Sequence, residues 1–192
     1  MINKLCVNVL SGPSGGKSTT AASLFVKLKK RHVNCEIVTE VAKDLVYENN
    51  TRALSSQLYV FGQQLYKLQN AYDSTDVVIT DSPILLSAIY NQHTSKHLMD
   101  LVLEQHRKFN NMNVFVRRDT SYPHSMSGRI HSLTESISID NQIINLLESQ
   151  NIPFVYLDET GEDTLVSVIS EEVNAKDNII RQERLESRPV AI

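Results

Sequence analysis

Residues 11–20, SGPSGGKSTT, come directly after an apolar run, KLCVNVL (4–10), and directly before a helix-like stretch, TTAASLFVKLKK. A strand that turns through glycines into a helix narrows the fold more than any other feature of this chain. Gly12, Gly15 and Gly16 let the backbone take conformations and close approaches that a side chain would block. Successive N–H groups at a helix start point their positive ends at an anion. The pattern G-x-x-x-x-G-K-[ST] is intact over Gly16, Lys17 and Ser18, but its first position, counted back from Gly16, is Ser11. Gly12 next door supplies the flexibility that the turn needs, so the loop reads as a working phosphate cradle. Lys17 would put a point charge on the β- and γ-phosphates, and Ser18 would offer a hydroxyl to Mg²⁺. The nucleotide-binding set is Gly12, Ser14, Gly15, Gly16, Lys17, Ser18 and Thr19. The bland alternative is a chance Gly/Ser turn ahead of a helix.

The rest of the chain repeats the strand-then-helix rhythm. CEIVT (35–39), DVVIT (76–80), MNVFV (112–116) and PFVYL (153–157) join the first run as short apolar segments. Most lack clean alternation, which suits strands covered on both faces. Between them, 52–73 carries one apolar seam through Leu54, Leu58, Phe61, Leu65, Leu68 and Tyr72, and 139–150 carries a second through Ile139, Ile143, Leu146 and Leu147. Five strands alternating with helices imply an α/β fold: a parallel sheet with helices on both faces. The polar, turn-rich segment 118–134 reads as a lid, so 1–173 forms one domain and 174–192 a last helix or tail.

Composition sets outer limits. A chain of 192 residues, 41% hydrophobic and 21% charged, can bury a core as one domain. A net charge of −3 argues against a protein devoted to coating nucleic acid. Cys6 and Cys35 lie in buried-strand patterns without metal-ligand spacing, which fits a reducing cytoplasm. No run approaches the roughly 20 apolar residues of a membrane span.

Four blocks in order resemble the small AAA-like P-loop kinases, which include ribosylnicotinamide kinases and phage nucleotide-kinase-like proteins. SGPSGGKS is similar to that family's loop from Gly12 onward and departs from it at Ser11. TEVAKDL (39–45) is similar to its acidic residue and helix after the second strand. VVITDSPILLSAIY (77–90) resembles its third strand ending in Asp, and VFVRRD…SGRIH its fourth strand and arginine-bearing lid. The resemblance implies a three-layer α/β/α P-loop NTPase with strand order 2-3-1-4-5, using ATP or another NTP with Mg²⁺.

Roles follow from what phosphoryl transfer needs: positioning, neutralised charge and a route for the acceptor's proton. Asp81 would hold Mg²⁺ beside Ser18, although Asp-Ser-Pro also makes a good helix start. Glu40 would face the acceptor as a base or hydrogen-bond partner, and reads equally well as a helix-start carboxylate. The two acids can exchange roles. Arg118 and Arg129, with Arg117, would neutralise the transferred phosphoryl from the lid, a solvated basic loop being the alternative.

The function expected is therefore transfer of a γ-phosphoryl to a hydroxyl or phosphate of a nucleoside- or nucleotide-like acceptor, with Lys17, Asp81, Glu40, Arg118 and Arg129 as the catalytic set. One alternative is a kinase directed at a hydroxymethylated pyrimidine in DNA. It needs a basic groove, and the cluster Lys27, Lys29, Lys30 and Arg31 lies at the far end of the first helix. The other is a nucleotide-switched ATPase or binding module. His93, His97 and Asp100 share a helical face but lack a metalloprotease pattern, and Gln57 and Gln64 read as core-flanking polar residues.

Overall fold

The computed structural model describes residues 4–90, 96–118, 132–158 and 161–173. The strands are β1 (Leu5–Leu10), β2 (Cys35–Val38), β3 (Val77–Thr80), β4 (Asn111–Val116) and β5 (Phe154–Leu157). The helices are α1 (Lys17–Lys30), α2 (Val41–Tyr47), α3 (Thr51–Leu54), α4 (Gln57–Ser74), α5 (Leu86–Ile89), α6 (Lys96–His106) and α7 (Leu133–Ser149), with α8 over 162–173. All five strands pair in parallel in the order β2-β3-β1-β4-β5, as the resemblance implied.

Alternate residues of β1 feed two cores. Leu5, Val7 and Val9 pack with Ala21, Leu24 and Leu28 of α1 and with Leu165, Val166 and Ile169 of α8. Cys6 and Leu10 face Phe61 and Leu68 of α4, Val102 of α6 and Ile139, Ile143 and Leu147 of α7. The sheet is thus apolar on both sides, which is why its strands read as continuous runs.

That same feature leaves strand register poorly specified by hydrophobicity, and three asparagines supply it. Asn8, fully buried, donates to Asn111 Oδ1 at 2.9 Å and to Asn113 Oδ1 at 3.1 Å. Asn113 passes the chain on by donating to the Pro153 carbonyl at 3.0 Å. Any slip of β4 against β1 would break the bonds that satisfy the buried Asn8 and Asn113 amides, at a cost of about 1–3 kcal/mol each.

Two expected boundaries shift. The seam at 52–73 is divided into α3 and α4, because Ser55 and Ser56 intervene: the Ser55 hydroxyl bonds the Arg52 carbonyl at 2.8 Å, and Ser56 is extended. The helix expected at 139–150 begins at Leu133, where Ser132 and Glu135 form a reciprocal capping box. Residues 132–134 therefore form a cap and helix start at the end of the segment expected as a lid. Residues 119–131 of the expected lid, which include Arg129, the tail 174–192 and His93 lie outside the described residues. No described helix is long and apolar enough to cross a membrane.

His106, at the end of α6, is 3% exposed and its Nδ1 has no hydrogen-bond partner. Burial, then the neighbouring Arg107, pushes its pKa down to about 4. A folded-state value below the unfolded one means stability is fully present above about pH 6.5 and drains away as pH falls toward 4. His106→Leu should remove on the order of 2 kcal/mol of the stability lost between pH 7 and pH 5. Thermal melts at both pH values check this; an unchanged difference in Tm between them would clear His106 of the effect.

Candidate functional site

The phosphate loop has a buried floor and an open rim. Ser11, Gly12 and Gly15 are buried, whereas Gly16, Ser18 and Thr19 face solvent at the start of α1. Gly16 has φ 89°, a left-handed conformation that suits glycine. Ser14 also has positive φ, at 63°, and its hydroxyl is buried without a partner. Strain of this kind in a non-glycine residue costs roughly 1–3 kcal/mol and collects at functional sites.

Ser11 and Gly15 explain each other. A Cβ on Gly15 would stand 1.6 Å from the Ser11 Oγ and 2.8 Å from its Cβ. The side chain that replaces the pattern's first glycine thus occupies the space a side chain at position 15 would need. The substitution is accommodated inside the loop.

On the β3 side, the Ser18 hydroxyl donates to Asp81 Oδ2 at 2.5 Å. Asp81 is 6% exposed, and its other oxygen, Oδ1, is buried without a partner. A desolvated, unpartnered carboxylate oxygen beside a hydroxyl is a donor set suited to a hard cation, so the residues fit Mg²⁺. The helix-start alternative for Asp81 does not hold: α5 begins only at Leu86, with Leu85 at its cap. Register brings this acid here, since β1 and β3 align Asn8 with Thr80.

β2 lies beyond β3, with Val38 aligned to Thr80, and delivers Glu40 to the same edge. Glu40 occupies the cap position of α2 but its side chain caps nothing. Burial raises its pKa, opposed by Lys17 and reinforced by Asp81. Gln64 of α4, 3% exposed, holds the backbone on both sides of it: its Oε1 accepts from Val41 N at 2.9 Å, and its Nε2 donates to the Thr39 carbonyl at 3.3 Å. The residue read as core-flanking therefore pins the strand-to-helix junction that aims Glu40.

On the β4 side, Leu10 aligns with Phe115, so Arg118 runs level with Pro13. Its Nη2 donates to the Pro13 carbonyl at 2.9 Å and pairs with Asp140 Oδ2 at 2.9 Å, and its Nε reaches the same oxygen at 3.0 Å. Asp140, on α7, also accepts from the Gly12 amide at 2.5 Å. Lys17 donates to the Gly12 carbonyl at 3.0 Å. Desolvation lowers the Lys17 pKa, while Glu40, Asp81 and Asp140 counter it. Tyr90, just past α5, has its hydroxyl pushed up to about 12 by burial first, then by Glu40 and Asp140.

The structure thus gathers Gly12, Ser14, Gly15, Gly16, Lys17, Ser18, Thr19, Asp81, Glu40 and Arg118 at one end of the sheet. Asp140 and Tyr90 are additions. Tyr90 stood inside a quoted motif, but nothing in its spacing marked it. Asp140 lay five residues past a capping box, unremarkable on a helix. Arg117 points elsewhere, over the Tyr156 ring at 4.5 Å. The basic cluster on α1 is largely engaged: Lys27 pairs with Glu162 and Asp163 at 2.9 Å each, Lys29 lies over the Phe25 ring, and Arg31 bonds Ser167. Among the described residues, no group of three or more His, Cys, Asp or Glu could hold a metal ion.

The Ser11–Gly15 fit yields a test. Gly15→Ala alone should weaken nucleotide binding by about tenfold or more, since the clash of a Cβ only 1.6 Å from Ser11 Oγ and 2.8 Å from its Cβ must be relieved by moving the loop. Adding Ser11→Gly should restore most of it. Titration of Mg·ATP into both variants measures the rescue; a double variant as weak as the single one would refute the coupling.

Comparison with known proteins places the fold. Residues 6–163 match the family described as AAA domain. No curated protein matches the sequence. Among solved structures, NadR in complex with NR superimposes with a TM-score of 0.63 at 15% identity, covering 89% of this chain and 52% of that one. The chain thus spans about half the length of NadR. YorR from Bacillus subtilis, in complex with phosphorylated GDP, gives 0.59 at 16% identity over 90% of this chain and 98% of its own. Deoxyadenosine kinase from M. mycoides, with dCMP and a flexible dCDP bound, gives 0.58 at 16% identity over 88% and 99%. Identities this low establish likeness of fold, while the family match runs through most of the sequence. With a strand-loop-helix cradle at the centre of a 2-3-1-4-5 parallel sheet, this chain has the fold of a P-loop kinase and belongs to the AAA domain family.

Proposed function

We propose that the protein is a kinase transferring the γ-phosphoryl group of ATP, or another NTP, with Mg²⁺, to a hydroxyl or phosphate of a nucleoside- or nucleotide-like acceptor. One observation carries the reading: Ser18 and Asp81 meet at 2.5 Å with Asp81 Oδ1 buried and unpartnered, beside a loop whose Lys17 ammonium rests on the Gly12 carbonyl. Structures of similar fold hold NR or nucleotides, which supports the acceptor class.

The loop amides and Lys17 would grip the β- and γ-phosphates and neutralise their charge. Ser18 and Asp81 would hold Mg²⁺, which supplies further charge neutralisation on the phosphate oxygens. Glu40 would accept the proton of the acceptor hydroxyl. Its raised proton affinity makes it a stronger base than an exposed carboxylate, active once the pH exceeds its midpoint. Arg129 remains a proposed charge clamp. The engagement of Lys27, Lys29 and Arg31 with their neighbours gives a strand-binding groove no support, and a base candidate beside the loop favours transfer over a nucleotide-timed switch.

Lys17→Ala should abolish transfer from labelled ATP to a nucleoside panel, a loss of about a thousandfold or more, with the fold retained. Near-normal turnover in that variant would remove Lys17 from the mechanism. Glu40→Gln should lower kcat by about a hundredfold or more. In the wild type, kcat/KM should rise with pH through a midpoint above 4.5, because burial raises the Glu40 carboxyl. That limb should vanish from the residual activity of Glu40→Gln, and its survival would assign the base elsewhere.

A further inference from the structure

Asp140 lies outside every motif that marks the nucleotide site, yet its carboxylate reaches into the back of the phosphate loop. One oxygen, Oδ1, accepts the Gly12 amide at 2.5 Å and lies 3.5 Å from the Ser11 hydroxyl. The other, Oδ2, takes both Nε and Nη2 of Arg118, at 3.0 and 2.9 Å, while Nη2 also bonds the Pro13 carbonyl at 2.9 Å. We propose that Asp140 is a positioning residue of the nucleotide site: with Arg118 it clamps the Ser11–Pro13 half of the phosphate loop in its binding shape. The proposal rests on the reading that this loop binds an NTP.

Energetics argue that stability is not what the pair provides. The Asp140 and Arg118 side chains are only 13% and 10% exposed. Withdrawing two charges from water costs about as much as their attraction returns, so a buried pair is weak evidence for stability. What it supplies here is direction. The Gly12 amide is fixed by Asp140, and the Gly12 carbonyl receives the Lys17 ammonium at 3.0 Å. Holding Gly12 by its amide therefore sets where the ammonium stands before a nucleotide arrives. The fit is tight: a Cβ on Gly12 would lie 2.5 Å from the Ser136 carbonyl and 2.9 Å from Asp140 Oδ1.

The clamp also joins three elements around the loop. Arg118 follows β4, Asp140 belongs to α7, and both act on the turn leaving β1. The Asp140 charge adds to those of Glu40 and Asp81 in favouring the protonated form of desolvated Lys17. A loop organised in advance loses less free energy on closing around a ligand. The contribution should therefore be read in nucleotide affinity rather than in the chemical step.

The test uses the full chain and titrates Mg·ATP and Mg·GTP into wild type, Asp140→Asn, Arg118→Gln and the double variant, followed by steady-state kinetics with the best acceptor. Each single variant should bind the wild type's preferred nucleotide about tenfold more weakly, with KM for that nucleotide raised similarly, and in Asp140→Asn kcat should stay within about threefold. The double variant should bind no more weakly than the weaker single one, because both residues act on the same turn. Wild-type affinity in Asp140→Asn overturns the clamp, and so does a fall in kcat at unchanged KM. A kcat loss of about tenfold or more in Arg118→Gln alone would place that guanidinium on the transferred phosphoryl instead. Should Asp140→Asn fail to fold for want of a counter-charge to Arg118, the double variant removes both charges together, and normal affinity there overturns the proposal. A wild type that binds neither nucleotide refutes the kinase reading itself, whereas binding that ignores Asp140 refutes only the clamp.

Discussion

The Lys17 ammonium is held where water is scarce, inside a turn lined by amides that also carry positive polarity. Desolvation works against its charge, and three carboxylates from three different elements work for it: Glu40 after β2, Asp81 after β3 and Asp140 on α7. A phosphate loop without phosphate is an assembly of positive ends that repel one another. It can stand ready only if negative charge nearby balances it without filling the cradle. Here the carboxylates surround the floor and one side of the loop, and the rim at Gly16, Ser18 and Thr19 stays open.

Strand order makes that balance possible. With β1 at the centre of β2-β3-β1-β4-β5, the loop that leaves it has β3 on one flank and β4 on the other. One flank brings Asp81 and, one strand further out, Glu40. The other brings Arg118, which ties the loop to α7 through Asp140. Glu40 and Asp81 therefore collect toward β3, and Arg118 with its partner Asp140 toward β4. Gln64 does for Glu40 what Asp140 does for Gly12, reaching from a neighbouring helix to hold a main-chain turn.

Much of this architecture was legible in the chain. Apolar runs of five to seven residues, separated by helix-length segments and led by a glycine turn ending in Gly-Lys-Ser, leave few folds open. Asp81 and Glu40 were legible too, because strand ends of a parallel sheet deliver side chains to one edge. Other features were written locally and passed over. Ser132 and Glu135 have capping-box spacing, but a polar stretch absorbed them into a lid. Ser55 and Ser56 interrupt a helix whose apolar seam runs on through them. The asparagines Asn8, Asn111 and Asn113 were invisible as a set, because they meet only when β4 aligns with β1.

The sequence by itself determined the element types and the identity of the phosphate loop, since both depend on neighbours a few residues apart: hydrophobic periodicity, glycine freedom and a lysine after a turn. Only the tertiary structure decided what supports the loop. Asp140 stands 128 positions from Gly12 and Gln64 stands 23 from Val41. A carboxylate on a helix and an amide in a core look ordinary until packing brings each against a backbone N–H it must satisfy. Local pattern names the groups that can touch a nucleotide, and burial together with strand order selects the groups that hold them in place.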